Sequence, residues 1–259
     1  MAKIVLQGIL FDEKSSYLQG PKLAPSLIRD AYQSNSSNYY AENGSLITPD
    51  TFQDKGDYQI EDYFDIEQIT SNNLKKGQAL LTLGGDHSIT FPIIKAFNST
   101  YEKIDILHVD AHSDLYHELD GDPYSHACPF YHIMKNGLAQ NLYQVGIRTL
   151  NKKQRDNASK FGVNINEMKD FESFKMPIFK NPLYLSLDID ALDPAFAPGV
   201  SHHEPGGLTT RQLLHLIQEI NAPLVGADIV EYNPTRDING MTSMVCGKLL
   251  KEIAVKMKG

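Results

Sequence analysis

The sequence predicts a doubly wound α/β domain on a mostly parallel sheet, and three observations point there. Short apolar runs recur along the chain, each nearly continuous rather than alternating, as strands covered on both faces are. Helical patterns lie between several of them, as crossovers between parallel strands require. Acids and imidazoles follow four of the runs, and ligands of open α/β sheets gather at the carboxyl ends of strands.

Residues 4–11 form the first predicted strand. Segment 33–77, with SNSSNYY, TPD and many acids, reads as a long surface excursion carrying one short helix, not as a separate domain. Residues 79–83, 104–109, 142–147, 183–187 and 224–230 are the remaining strands. Before the last of these, residues 208–220 form a helix in which Leu213, Leu214, Ile217 and Ile220 share a stripe and Thr209 with Gln212 makes a capping box. Residues 241–257 close the chain as another helix. No internal repeat or low-complexity tail interrupts this order, so residues 1–259 read as a single domain.

Composition narrows the function. A chain of 259 residues can bury a sizeable core, and 41% hydrophobic with 22% charged residues is ordinary for a water-soluble globule. No run approaches the roughly 20 apolar residues of a spanning helix. The start, MAKIVLQGILF, lacks a small-residue cleavage site, so a cytoplasmic protein is expected. Cys128 and Cys246 lie far apart and read as reduced thiols rather than a disulfide or CxxC site. A net charge of −8 disfavours nucleic acid and anionic membrane as partners and suits a small cationic substrate.

The chemistry sits in GGDHS (84–88), DAHSD (110–114), DIDALDP (188–194) and EYNP (231–234). If the strands run on through them, Asp110, His112 and Asp114 share a side, as do Asp188 and Asp190. Asp86 and Asp193, taken singly, read as caps or turn residues. Gathered at one sheet end, the acids repel by several kcal/mol each unless protonated or neutralised by cations. Six candidate metal ligands, His87, Asp110, His112, Asp114, Asp188 and Asp190, are too many for one ion and natural for two with bridging carboxylates. An oxygen-rich set with about one imidazole per ion and no thiolate favours Mn²⁺, with nickel or iron open. Paired ions lower the pKa of a shared water, so hydrolysis is the expected reaction. No Arg or Lys clamp, Walker A or GxGxxG loop accompanies the cluster, which argues against a phosphate electrophile. Glu231 instead suits a planar cation, and a guanidinium carbon fits.

With these residues in view, the chain resembles the ureohydrolase family, the manganese enzymes arginase and agmatinase. GGDHS, DAHSD, SLDIDALDPAFAPGV and DIVEYNP occur in order, and GILFDEKSSYLQGPKLAPSLIR at the amino end is also similar. The resemblance implies a three-layer α/β/α sandwich and two Mn²⁺ ions. It implies that His87 and Asp114 bind one ion and His112 and Asp190 the other, with Asp110 and Asp188 bridging. It assigns catalysis to His126, Asp114 and Glu231, with His126 in YSHACPF as proton shuttle and Glu231 as guanidinium anchor; both touch substrate. His108, inside a strand, is expected to pack beside the ligands rather than be one. His117, His132, His202, His203 and His215 receive no role. A homo-oligomer, trimer or hexamer, is implied as well.

The substrate's far end is less determined. Glu118, Asp120 and Asp122, in the loop between DAHSD and His126, should border the entrance, drawing a terminal ammonium and repelling a carboxylate. On that ground agmatine, cleaved to putrescine and urea, is the expected substrate. Arginine is the alternative, because DLYHELDGDPYSHACPF and PAFAPGVSHHEPGGL resemble the plant arginase group. Guanidinobutyrate or formiminoglutamate would change only the tail. A one-zinc amide hydrolase or a scaffold without activity is disfavoured, since all six ligand candidates are present.

Overall fold

The computed structural model describes residues 3–258; Met1, Ala2 and Gly259, the ends of the predicted single domain and of its strand-like start, lie outside the described residues. Strands β1 (Ile4–Leu10), β2 (Phe52–Gln59), β3 (Leu80–Leu83), β4 (Asp105–Val109), β5 (Asn141–Ile147), β6 (Asn164–Glu167), β7 (Leu183–Asp188) and β8 (Leu224–Val230) form one sheet. Its order is β2-β1-β3-β8-β7-β4-β5-β6, and every pairing is parallel. Helices α1 (Ala24–Tyr32), α6 (Thr210–Glu219) and α7 (Met241–Lys258) pack on one face. Helices α2 (Asp65–Asn73), α3 (Thr90–Asn98), α4 (Pro129–Lys135) and α5 (Lys152–Phe161) cover the other. The fold is the three-layer α/β/α sandwich expected.

All six predicted strands form, with ends within a residue of the apolar runs. α6 begins at the expected capping box: Thr209 Oγ1 accepts from Gln212 N while Gln212 Oε1 accepts from Thr209 N. Segment 33–77 departs from expectation. It contains the short helix, as α2, but also a full strand, β2. β2 is an edge strand whose residues are mostly exposed, and β6 is its polar counterpart at the opposite edge. An edge strand is held by hydrogen bonds on one side and needs no apolar run, so hydrophobic patterning passes over both.

The topology places the site. From β3 the chain leaps to β4 and builds outward through β5 and β6, then returns to fill the gap with β7 and β8. β3, β8, β7 and β4 are therefore consecutive neighbours, and GGDHS, EYNP, DIDALDP and DAHSD follow or end those four strands. Their carboxyl ends lie side by side, at a reversal of strand order where such sheets bind ligands. Among the described residues no helix is long and apolar enough to cross a membrane.

Candidate active site

After β3 the backbone turns tightly. A side chain at Gly85 would strike the Phe11 carbonyl, its Cβ falling 1.6 Å from that oxygen, so only glycine lets Asp86 N reach Phe11 O at 3.0 Å. Asp86 caps the short 3₁₀ turn His87–Ile89 and also accepts from Lys14 N and Ser15 Oγ. It thereby ties the loop bearing Ser16 to the site. Asp193 holds its own turn through Ala195, Gly206 and Gly207 N, so both residues are structural, as read from sequence.

The ladder ends at the first residues of the motifs, with Asp188 still paired to Val230 and Asp110 N on Val145 O, and goes no further. β4 stops at Val109, Asp114 sits at φ 49°, and Asp190 lies in a 3₁₀ turn, Ile189–Ala191. The alternation expected of an extended segment is therefore not what gathers these side chains. They converge because each chain end curls inward through local bonds, Asp110 Oδ1 accepting from His112 N and Asp188 Oδ1 from Asp190 N. Glu231 is also left-handed, at φ 62°. Two non-glycine residues in that sparse region within one cleft mark a site where backbone ease has yielded to function.

His87 stands at the centre. Its Nε2 lies 2.9 Å from Ser186 Oγ, and that hydroxyl spends its proton on Asp228 Oδ1 at 2.8 Å. The ring must therefore donate from Nε2 to Ser186. Its Nδ1, buried and without a hydrogen-bond partner, faces Asp110 Oδ2, Asp114 Oδ2 and Asp188 Oδ2 at 3.1, 3.1 and 3.2 Å. Burial would lower the His87 pKa, but these three carboxylates hold it well above the ordinary value. A proton can serve only one such oxygen at a time, whereas a divalent ion draws in all of them. An imidazole nitrogen and three carboxylate oxygens gathered this closely form a donor set that would suit a divalent cation.

A second cluster adjoins the first. His112 Nδ1 lies 3.0 Å from Asp190 Oδ2 and 3.5 Å from Asp110 Oδ1, so Asp110 turns one oxygen toward each imidazole. Charge is crowded here: burial, with Asp190 and Asp110 behind it, pushes Asp188 well above the usual carboxylate range, and burial lifts Asp190 to about 6. His87, Asp110 and Asp114, together with His108, form one His/Asp group able to hold a metal ion, and Asp110, His112 and Asp190 form a second, with Asp188 Oδ2 3.2 Å from His87 Nδ1 beside the first. Of these, His108 has neither ring nitrogen free: Nε2 is 2.7 Å from Asp110 Oδ2 and Nδ1 is 2.9 Å from Gln144 Nε2.

Glu231 and His126 close the inner wall. Glu231 Oε1 accepts from His87 N at 2.9 Å and from His126 Nδ1 at 2.8 Å, while His126 Nε2 lies 2.8 Å from Ser16 Oγ. The outer wall carries Tyr116, Leu119, Ala127, Gln154 and His202.

A family model for arginases matches residues 2–255. This chain belongs to the arginase family. It is 41% identical to arginase 1, mitochondrial, of Arabidopsis thaliana, over 99% of this chain and 81% of the relative. It is 32% identical to an agmatinase of Bacillus anthracis, over 97% and 91% respectively. Its structure resembles an arginase from Medicago truncatula with a TM-score of 0.91 and 40% identity, covering 99% of this chain and 87% of that one. Membership makes the chain a metal-dependent hydrolase of guanidino compounds, on a fold that normally carries a binuclear metal site.

Two expectations about this arginase-family cleft change. Glu118, Asp120 and Asp122 do not line it; Glu118 and Asp120 are exposed, and Asp122 is paired with Lys14 Nζ at 2.8 Å and caps Tyr124 N. His202 does line it, between His112 and His126 with ring centroids 5.7 and 5.4 Å away, and beside Tyr17. Its loop position gave no periodic signal to set it apart from exposed His203. His117, His203 and His215 are exposed, and His132 packs against Phe91 and Tyr124.

His126 links the site to pH. Burial alone would lower its pKa, but the charge and hydrogen bond of Glu231, with Asp86 and Asp114 behind, raise it from 6.5 to about 9. Because folding raises this value, the stabilisation is complete below the unfolded pKa and is lost as pH rises through the folded one. In metal-free protein, the unfolding free-energy difference between wild type and His126→Asn should shrink by about 1–3 kcal/mol between pH 6.5 and 9. Urea titrations across that range check it; a difference flat with pH contradicts the pairing.

Proposed function

We propose that the chain is an arginase, cleaving L-arginine to urea and ornithine with two Mn²⁺ ions. In this reading His87 and Asp114 would hold one ion and His112 and Asp190 the other, with Asp110 and Asp188 serving both. When bound, the pair lowers the pKa of water towards neutrality and supplies the charge that four carboxylates require. Nickel or iron would suit the same oxygen-rich set. Glu231 takes the guanidinium through paired N–H donors, turning its carbon toward the metal cluster. Asp114, at the cleft floor, receives the hydrogen of the attacking water. As the bond from carbon to the tail nitrogen breaks, a ring proton of His126 passes to the departing amine, a task suited to an imidazole kept protonated at neutral pH. Ser16 at its other nitrogen is the exit toward solvent.

The observation that carries arginine over agmatine is the outer wall. None of Glu118, Asp120 and Asp122 is among the residues that line the cleft, Asp122 being paired with Lys14, and the lining residues Tyr116, Gln154 and Ser16 are neutral and do not repel a carboxylate. Kinship with plant arginases, at 41% against 32% for an agmatinase, supports the same choice. Urea release by Mn²⁺-loaded protein should show kcat/KM for arginine at least about tenfold above agmatine and guanidinobutyrate, a difference of about 1.4 kcal/mol in transition-state binding. Formiminoglutamate, followed by formamide release, should be poorer still. Preference for agmatine would overturn the assignment while leaving the family chemistry intact.

A further inference from the structure

We propose that Gln144 and His108 act as a positioning pair that aims the Asp110 carboxylate, by fixing which ring nitrogen of His108 carries its proton. The inference rests on the two-ion reading of the site.

Gln144 on β5 and His108 on β4 are direct partners in the parallel register, so their side chains rise from the same face of the sheet. Both are buried, with no solvent to scramble their hydrogen bonds. The Ser113 carbonyl lies 2.6 Å from the Gln144 amide. A carbonyl oxygen only accepts, so the amide must turn its nitrogen, not its oxygen, toward Ser113. The same Nε2 lies 2.9 Å from His108 Nδ1 and donates its other hydrogen there. Nδ1 must then be bare. The ring proton is left on Nε2, which donates to Asp110 Oδ2 at 2.7 Å.

The cost of this arrangement is visible. Gln144 Oε1 is buried without a partner, an expense accepted so that both amide hydrogens face acceptors. Phe130 stacks on the His108 ring, with centroids 3.9 Å apart and planes within 26°, which fixes the direction of the Nε2–H. Asp110 is then gripped at both oxygens, Oδ2 by His108 and Oδ1 by His112 N at 2.6 Å. Its plane is set so that Oδ2 faces His87 and Oδ1 faces His112. A bridging carboxylate has to hold that pose, and outer partners of metal ligands typically carry 10–100-fold in affinity.

The tautomer can be read first, in metal-free protein, from ¹⁵N-histidine NMR: His108 should show a bare Nδ1 and a protonated Nε2. His108→Phe keeps the stack on Phe130 and removes the donor; its Mn²⁺ affinity by calorimetry should fall about 10–100-fold, with the arginine KM within about twofold of wild type at saturating metal. His108→Gln, which returns an amide N–H, should recover part of that loss. Gln144→Met, of similar length but without donors, should weaken Mn²⁺ binding in the same direction and show His108 in mixed tautomers, which keeps the test open if His108→Phe does not fold. A protonated Nδ1 in wild type, or wild-type Mn²⁺ affinity in His108→Phe, overturns the inference. Wild-type protein that binds no Mn²⁺ overturns instead the metal reading beneath it.

Discussion

Asp110→Ala is expected to lose both ions and turnover together. Among the described residues Asp110 is the one carboxylate that faces both imidazoles, Oδ2 at 3.1 Å from His87 Nδ1 and Oδ1 at 3.5 Å from His112 Nδ1. In the two-ion reading Asp110 and Asp188 each serve both ions, so removing either takes a ligand from both halves at once. Lewis-acid stabilisation of several kcal/mol corresponds to about 10³-fold or more in rate, so activity should fall at least that far. The fold should survive. The buried Nε2–H of His108 loses its acceptor, at about 1–3 kcal/mol, but Asp188 and Asp190 lose a like charge that pushes both their pKa values up. Metal analysis beside a thermal melt of metal-free protein makes the distinction: a folded variant without ions supports the bridge, and one that keeps both ions and normal turnover rejects it. Asp110→Asn, which keeps shape but not charge, should fall between the two.

How much of this was legible before the structure depends on what each residue does. Central strands announced themselves because they are covered on both faces and must be apolar throughout; β3, β4 and β7 are wholly buried. β2 and β6 stayed hidden because FQDKGDYQ and NINE are shaped by one-sided pairing, which leaves no hydrophobic trace. The site was legible for an electrostatic reason. Asp110, Asp114, Asp188, Asp190 and Glu231 follow or end apolar strands, and acids buried together demand compensation whatever the backbone does. Their convergence was therefore expected correctly while its geometry was not: left-handed Asp114 and the 3₁₀ turn at Asp190 replace the extended alternation. Residues that only complete the cleft, such as Gln154 at the start of α5 and His202 in a loop, follow no period of their own. The Lys14 partner of Asp122 could not be read for a related cause, since it lies 108 residues away in sequence.

Glu231→Gln should separate binding of metal from chemistry. Glu231 touches neither imidazole nitrogen that faces the Asp cluster; its carboxylate meets His87 only at the backbone N–H and His126 at Nδ1. A glutamine oxygen can still accept from His87 N, so the turn that carries His87 should stand and metal content should be unchanged. Two other things are lost. The guanidinium no longer finds a charged, bidentate acceptor, and charge-assisted bonds are roughly twice as strong as neutral ones. His126 loses the carboxylate whose charge and hydrogen bond oppose burial, so its pKa drops from about 9 and less of it is protonated at neutral pH. Together these should lower kcat/KM for arginine by about 10³-fold or more, given that a single lost transition-state donor costs about 10²–10³. The residual activity should rise as pH falls, because the protonated ring is recovered only at lower pH. Steady-state kinetics across pH, with metal content measured on the same samples, test both halves. Retained wild-type kinetics would remove Glu231 from the mechanism, and loss of metal would make it part of the cluster's support instead.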